Sequence, residues 1–167
     1  MGRRRSSQTV WLVAVMAGAA ACSGGSPTKA SDTVPNFQGN YTGTSSVVSC
    51  TEDGNFAGFC QGVGFTSGAT FPMTVNLSQS QSSVTGTIAI LGLSGTLQGT
   101  ASSLSGLTAT GTFADISDSG VTLSTNLQSW ATTLNGSAMS GSYKLSFRSN
   151  ALLGGATVSI NIVQLTR

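Results

Sequence analysis

From Phe71 to Leu77 the chain alternates in polarity, with Phe71, Met73, Val75 and Leu77 on one side of an extended backbone and Thr74, Asn76 and Ser78 on the other. A period of two marks a strand with one buried face, and no other pattern restricts the possible folds as strongly. The same rhythm returns at Val84, Gly86, Ile88 and Ile90, at Gly95, Leu97, Gly99 and Ala101, and at Leu107, Ala109, Gly111 and Phe113. Val121, Leu123 and Leu127 open a longer extended stretch that continues through Trp130 to Leu134. Met139, Gly141, Tyr143, Leu145 and Phe147 follow, and then Ala156, Val158, Ile160 and Ile162. With Gln38 to Val47 as the first, this predicts about eight short strands, separated by turn residues. Outside the first residues of the chain, no segment sustains a 3.6-residue period.

The pattern places the chain in the all-β class. Strands in close succession favour a meander, and closing the meander removes both exposed edges. The predicted architecture is therefore an antiparallel up-and-down β-barrel of about eight strands, with a β-sandwich of the same strands as the alternative. Glycines inside the strands, at Gly86, Gly99, Gly111 and Gly141, would weaken a flat sheet but suit the tight bending of a small barrel.

The first residues carry a different signal. Arg3, Arg4 and Arg5 precede an apolar run from Val10 to Ala21 that ends in Ala19-Ala20-Ala21-Cys22. The run is too short to span a membrane as a helix, which takes about 20 residues, and reads as the core of an export signal. The expected organisation is a lipoprotein signal peptide at 1–21, a lipidated Cys22 with a flexible Ser/Gly-rich tether at 22–35, and a β-barrel domain at 36–167. The alternative is an ordinary signal peptide, cut near Ala21, with Cys22 incidental. The reading locates the protein in the bacterial cell envelope, held to the membrane by lipid. Ser23 stands where the inner-membrane retention signal has aspartate, which points to the outer membrane.

Beyond the signal, Lys29, Lys144, Arg148 and Arg167 stand against Asp32, Glu52, Asp53, Asp115 and Asp118. That part of the chain carries no basic patch, which excludes nucleic acid as a partner. Cys50 and Cys60 are an even pair in an exported domain and predict a disulfide. With nine residues between them and no histidine in the chain, a metal or redox pair is the weaker reading. No metal site and no cofactor are expected. The lack of histidine also leaves the serines without a base, and Lys144 is the domain's only lysine. The two carboxylate pairs, Glu52 with Asp53 and Asp115 with Asp118, lie in turn-like runs that favour solvated Asx turns over glycoside chemistry. The chain is read as non-enzymatic.

The lipobox, the tether, the opening Gly39-Asn40-Tyr41-Thr42-Gly43, and the fragments Thr85-Gly86-Thr87, Thr110-Gly111-Thr112 and Ser140-Gly141-Ser142 together resemble small uncharacterised bacterial lipoproteins with a lipocalin-like or avidin-like barrel. The resemblance implies a barrel architecture more than an activity. Tyr41 stands where the lipocalin opening has tryptophan. Avidin-like proteins line the biotin pocket with several tryptophans, whereas this domain has only Trp130. Biotin binding is therefore not carried over.

Two functions follow from these readings. In the first, the barrel holds a small apolar ligand in a cavity lined by Leu77, Ile88, Leu107, Tyr143 and Leu145. Phe56, Phe59, Phe65 and Phe71, in a Gly-rich loop beside the disulfide, would cover its mouth. In the second, the interior is filled, the phenylalanines plug one end of the core, and the protein is structural or binds a protein partner. A third reading, a small transmembrane barrel, is allowed by the alternation, which does not say which face points outward. It is opposed by the lack of aromatic girdles.

Overall fold

The computed structural model describes residues 33–167. Cys22, the signal peptide and most of the tether lie outside the described residues. Nine strands and one short helix make up the domain: β1 Gly39–Gly54, α1 Phe59–Val63, β2 Thr70–Ser80, β3 Ser83–Ile90, β4 Leu93–Ala101, β5 Gly106–Phe113, β6 Ile116–Asp118, β7 Val121–Asn135, β8 Ala138–Ser149 and β9 Gly154–Thr166. All pairings are antiparallel, and from β1 to β5 each strand pairs with the next. From there β5 pairs with β7, β7 with β8, β8 with β9, and β9 returns to β1. The result is a closed barrel of eight strands, as the alternation predicted, and the single closed sheet rules out the sandwich. The ninth strand, β6, pairs only with the start of β7 and lies outside the ring.

Polarity decides which side is in. Met73, Val75 and Leu77 are buried and the residues between them exposed, and the large apolar residues of the other alternating sets point inward likewise, except at the start of β7, where Val121 is exposed. Where the phase changes, a bulge is present: the register slips between Leu127 and Ser129 on β7, which turns Trp130 inward although it sits at an even position. The strand glycines have a steric cause. A Cβ on Gly86, Gly99 or Gly111 would collide with the carbonyl oxygen of Asn76, Thr108 or Thr96 on the adjoining strand. The sheet coils there so tightly that only a hydrogen fits on the inner side.

The barrel has two unlike ends. One gathers the loop between β1 and β2 with α1, the β3–β4 turn, the β5–β7 connection with β6, and the β8–β9 turn. At the other, the incoming chain is strapped down. Phe37 N–H donates to Gln79 Oε1 at 2.7 Å, Gln79 Nε2 donates to the Pro35 carbonyl at 3.0 Å, and Arg167 Nη1 donates to the carbonyls of Asn36 and Gln38. Val34 packs against the core and Phe37 is fully buried. The residues just before the predicted domain start at 36, Thr33 to Pro35, therefore include groups that belong to the barrel and not to a free tether.

Candidate functional site

Leu77, Ile88, Leu107 and Leu145 are all buried, and they belong to one continuous core cluster with Trp130, Tyr143, Met73 and Leu127. Trp130 and Tyr143, register partners on β7 and β8, stack with ring centroids 5.4 Å apart. Their polar atoms are paired locally: Trp130 Nε1 donates to Thr132 Oγ1 at 2.9 Å, and the Tyr143 hydroxyl donates to Ser45 Oγ at 3.2 Å. Burial raises the Tyr143 pKa far above its ordinary value, with Ser45 opposing weakly. Tyr41 donates its hydroxyl to the Phe37 carbonyl at 3.0 Å, and its pKa is also raised by burial. Thr125 Oγ1 is buried without a partner among the described residues. The residues proposed to line a cavity are buried members of one continuous core cluster.

The phenylalanines close one end of that core. Phe65 meets Phe71 edge-on at 5.9 Å and Phe147 at 5.5 Å, while Phe59 lies 5.1 Å from Phe147 and 5.4 Å from Phe56. Phe56 and Phe65 are buried, and Phe59 and Phe71 half-buried. Such aromatic contacts favour tilted and edge-on arrangements, which is how a plug of rings fills the end of a narrow barrel. The Cys50–Cys60 disulfide is formed, with Cα atoms 5.9 Å apart, and it ties α1 to β1. Glu52 braces the same loop by accepting hydrogen bonds from the Gly58 and Cys60 amides at 2.9 and 2.5 Å. This carboxylate, expected to be a solvated turn residue, holds the loop that carries the plug.

Around the plug runs an exposed rim that the sequence reading did not single out. Leu153 is 80% exposed, and Leu152, Ile116, Val121 and Val63 are each more than 40% exposed. Asn150 joins two of its segments: its Oδ1 accepts from the Thr122 amide at 2.8 Å and its Nδ2 donates to the Gly120 carbonyl at 3.3 Å. On the other side, the Asn55 amide donates to the Leu153 carbonyl at 2.8 Å. The β8–β9 turn is therefore wedged between the β6–β7 hairpin and the end of β1. All four acidic residues among those described, Glu52, Asp53, Asp115 and Asp118, are at this end. Arg148 is the one cation nearby and donates to the Gly154 carbonyl. The sequence signal for the rim was the pair Leu152-Leu153, apolar residues in a turn that otherwise calls for polar ones.

The outer wall is different again. On β2 to β5 nearly every outward residue is Thr, Ser, Asn or Gln, set in cross-strand rows by the register. Between the rows lies an open trough of about 650 Å³ lined by Asn76, Thr85, Thr87, Thr96, Gln98 and Thr112, among others. A second concavity of about 510 Å³ adjoins it through Asn76 and Thr87 and reaches Asn40 and Thr42. No three His, Cys, Asp or Glu side chains among the described residues are grouped closely enough to share a metal ion. Compared with known proteins, the chain matches no family model, no curated protein and no solved structure.

Proposed function

We propose that this chain is a non-enzymatic lipoprotein of the bacterial cell envelope, anchored in the outer membrane through lipid on Cys22, that binds a protein partner at the plugged end of its barrel. The observation that carries the reading is the position of the rim. Val63, Ile116, Val121, Leu152 and Leu153, mixed with carboxylates, gather at the end opposite the one where the chain enters from its N-terminal side, whereas exposed Leu104, Val163 and Val48 stand singly elsewhere. With the chain entering at the opposite end, a flexible tether leaves the rim free for a partner with an apolar surface flanked by lysine or arginine. The resemblance to barrel-bearing lipoproteins agrees with this organisation.

The filled interior favours this over the carrier reading, since a ligand would have to displace packed side chains such as Leu107 and Leu145. A transmembrane barrel needs an apolar band on its outside, and here the outward rows are Thr, Ser, Asn and Gln. Two measurements test the proposal. In cells labelled with a palmitate analogue, the chain should carry the label and Cys22→Ala should lose it. A photo-crosslinking residue placed at Leu153 should give a discrete protein adduct, and one placed at Asn161 on the barrel wall should not. An unlabelled chain would refute the anchor. A small molecule extracted at one-to-one stoichiometry, with no adduct at Leu153, would refute the docking reading and restore the carrier.

A further inference from the structure

The outer wall carries a second feature that neither the rim nor the core requires. In the register of the barrel, Asn40 faces Asn76, Asn76 faces Thr87, Thr87 faces Thr96, Thr96 faces Thr112, and Thr112 faces Asn126. This is an unbroken row of neutral hydrogen-bonding side chains across six neighbouring strands. One pleat below, Ser78, Thr85, Gln98 and Thr110 form a second row. Adjacent strands lie about 4.8 Å apart and alternate residues along a strand about 6.7 Å apart, so the two rows make a regular lattice of hydroxyls and amides. The trough lies along these rows, and Gly86 and Gly111 leave part of its floor as bare backbone.

We propose that this trough is a binding site for a neutral glycan chain. Its volume of about 650 Å³ is within the range of ligand sites, about 300–1,000 Å³. An apolar ligand would strip water from Thr and Asn groups and leave them unpaired. An anionic polymer would find no cation in the lining; Lys144, opposite Ser129 on β8, is outside it. A peptide that binds by adding a strand needs a free sheet edge, and these strands are paired on both sides. A sugar chain meets all the conditions. Its hydroxyls are donors and acceptors at once, as are Thr, Asn and Gln. The threonine methyls offer small apolar contacts to the C–H faces of its rings.

The test uses the full-length chain in detergent micelles and amide NMR. The neutral probes are the β-1,4-linked N-acetylglucosamine tetramer and cellotetraose, and the charged control is tetragalacturonate. Saturable shifts should gather on β2 to β5 around Thr87, Thr96 and Thr112 with at least one neutral probe. The Thr87→Val/Thr96→Val double variant removes two hydroxyls while keeping shape and strand propensity, and should weaken binding about tenfold or more. Thr96→Lys, which blocks the trough, should abolish it, and Asn161→Ala on β9 should leave it unchanged. The proposal is overturned by the absence of saturable shifts with either neutral probe up to its solubility limit. Equal binding of tetragalacturonate, or undiminished binding in the double variant, overturns it as well.

Discussion

Truncating the side chains once expected to line a cavity separates a filled barrel from a hollow one. Leu107 and Leu145 are fully buried and Ile88 is 1% exposed, all three inside the continuous core. Leu107→Ala removes the branch beyond Cβ. At about 0.8 kcal/mol per buried carbon, the lost transfer energy is about 2.4 kcal/mol. The space left behind adds to this wherever neighbours cannot collapse, and a closed ring of hydrogen-bonded strands collapses poorly, so the total should be about 3–4 kcal/mol. Leu145→Ala should cost a similar amount, and Ile88→Val about 1 kcal/mol. The assay is guanidinium unfolding followed by the fluorescence of buried Trp130. With a slope of about 3–4 kcal/mol per molar for a domain of this size, each Leu→Ala midpoint should fall by about 1 M. A side chain facing an empty cavity has already lost its partners on that side. If both alanine variants unfold within about 1 kcal/mol of the parent, the filled-core argument fails and the carrier regains its footing.

Two other perturbations follow from the same structure. The Cys50–Cys60 bridge spans a sequence separation of 10, and the loop-closure relation gives about 3 kcal/mol for such a loop; a C50A/C60A variant should unfold at correspondingly lower denaturant, and an unchanged midpoint would contradict the relation here. Tyr143 is neutral when buried and its folded pKa lies above the unfolded value of 10.0, so stability should hold constant below pH 10 and decline above it. The decline should approach about 1.4 kcal/mol per pH unit. Tyr143→Phe should start from a lower plateau, having lost the bond to Ser45, yet decline less steeply; equal slopes in urea titrations would remove Tyr143 as the cause. Tyr41, raised in the same direction, accounts for any remaining decline.

The strands were legible because burial on one side writes itself directly into the order of residues. Phe71 to Leu77 became the middle of β2, and Leu107 to Phe113 nearly all of β5. The glycines were legible as bends, although only the structure shows that neighbouring carbonyls forbid their side chains. What was missed lacks an alternating buried face. The second half of β1, from Val48 to Gly54, is mostly exposed and is paired along β9 after a bulge. The helix α1 has five residues between two glycines in left-handed conformation, too few for a period to show. Of the rim only the pair Leu152-Leu153 left a sequence signal: Ile116 and Val121 come from the β6–β7 hairpin, and the β7–β8 pairing with the hydrogen bonds of Asn150 brings them to the β8–β9 turn.

The seam of the barrel joins the first strand to the last. β1 pairs with β9 along most of its length, so the contacts that close the ring bring together residues more than a hundred positions apart. Contacts of such sequence separation form slowly, because the whole intervening chain must be ordered before they repay its entropy. While the chain folds, β1 would wait with one bare edge until β9 arrives, a template for pairing with any other unfinished strand. A truncation that removes β9 would leave both β1 and β8 with bare edges open to aggregation.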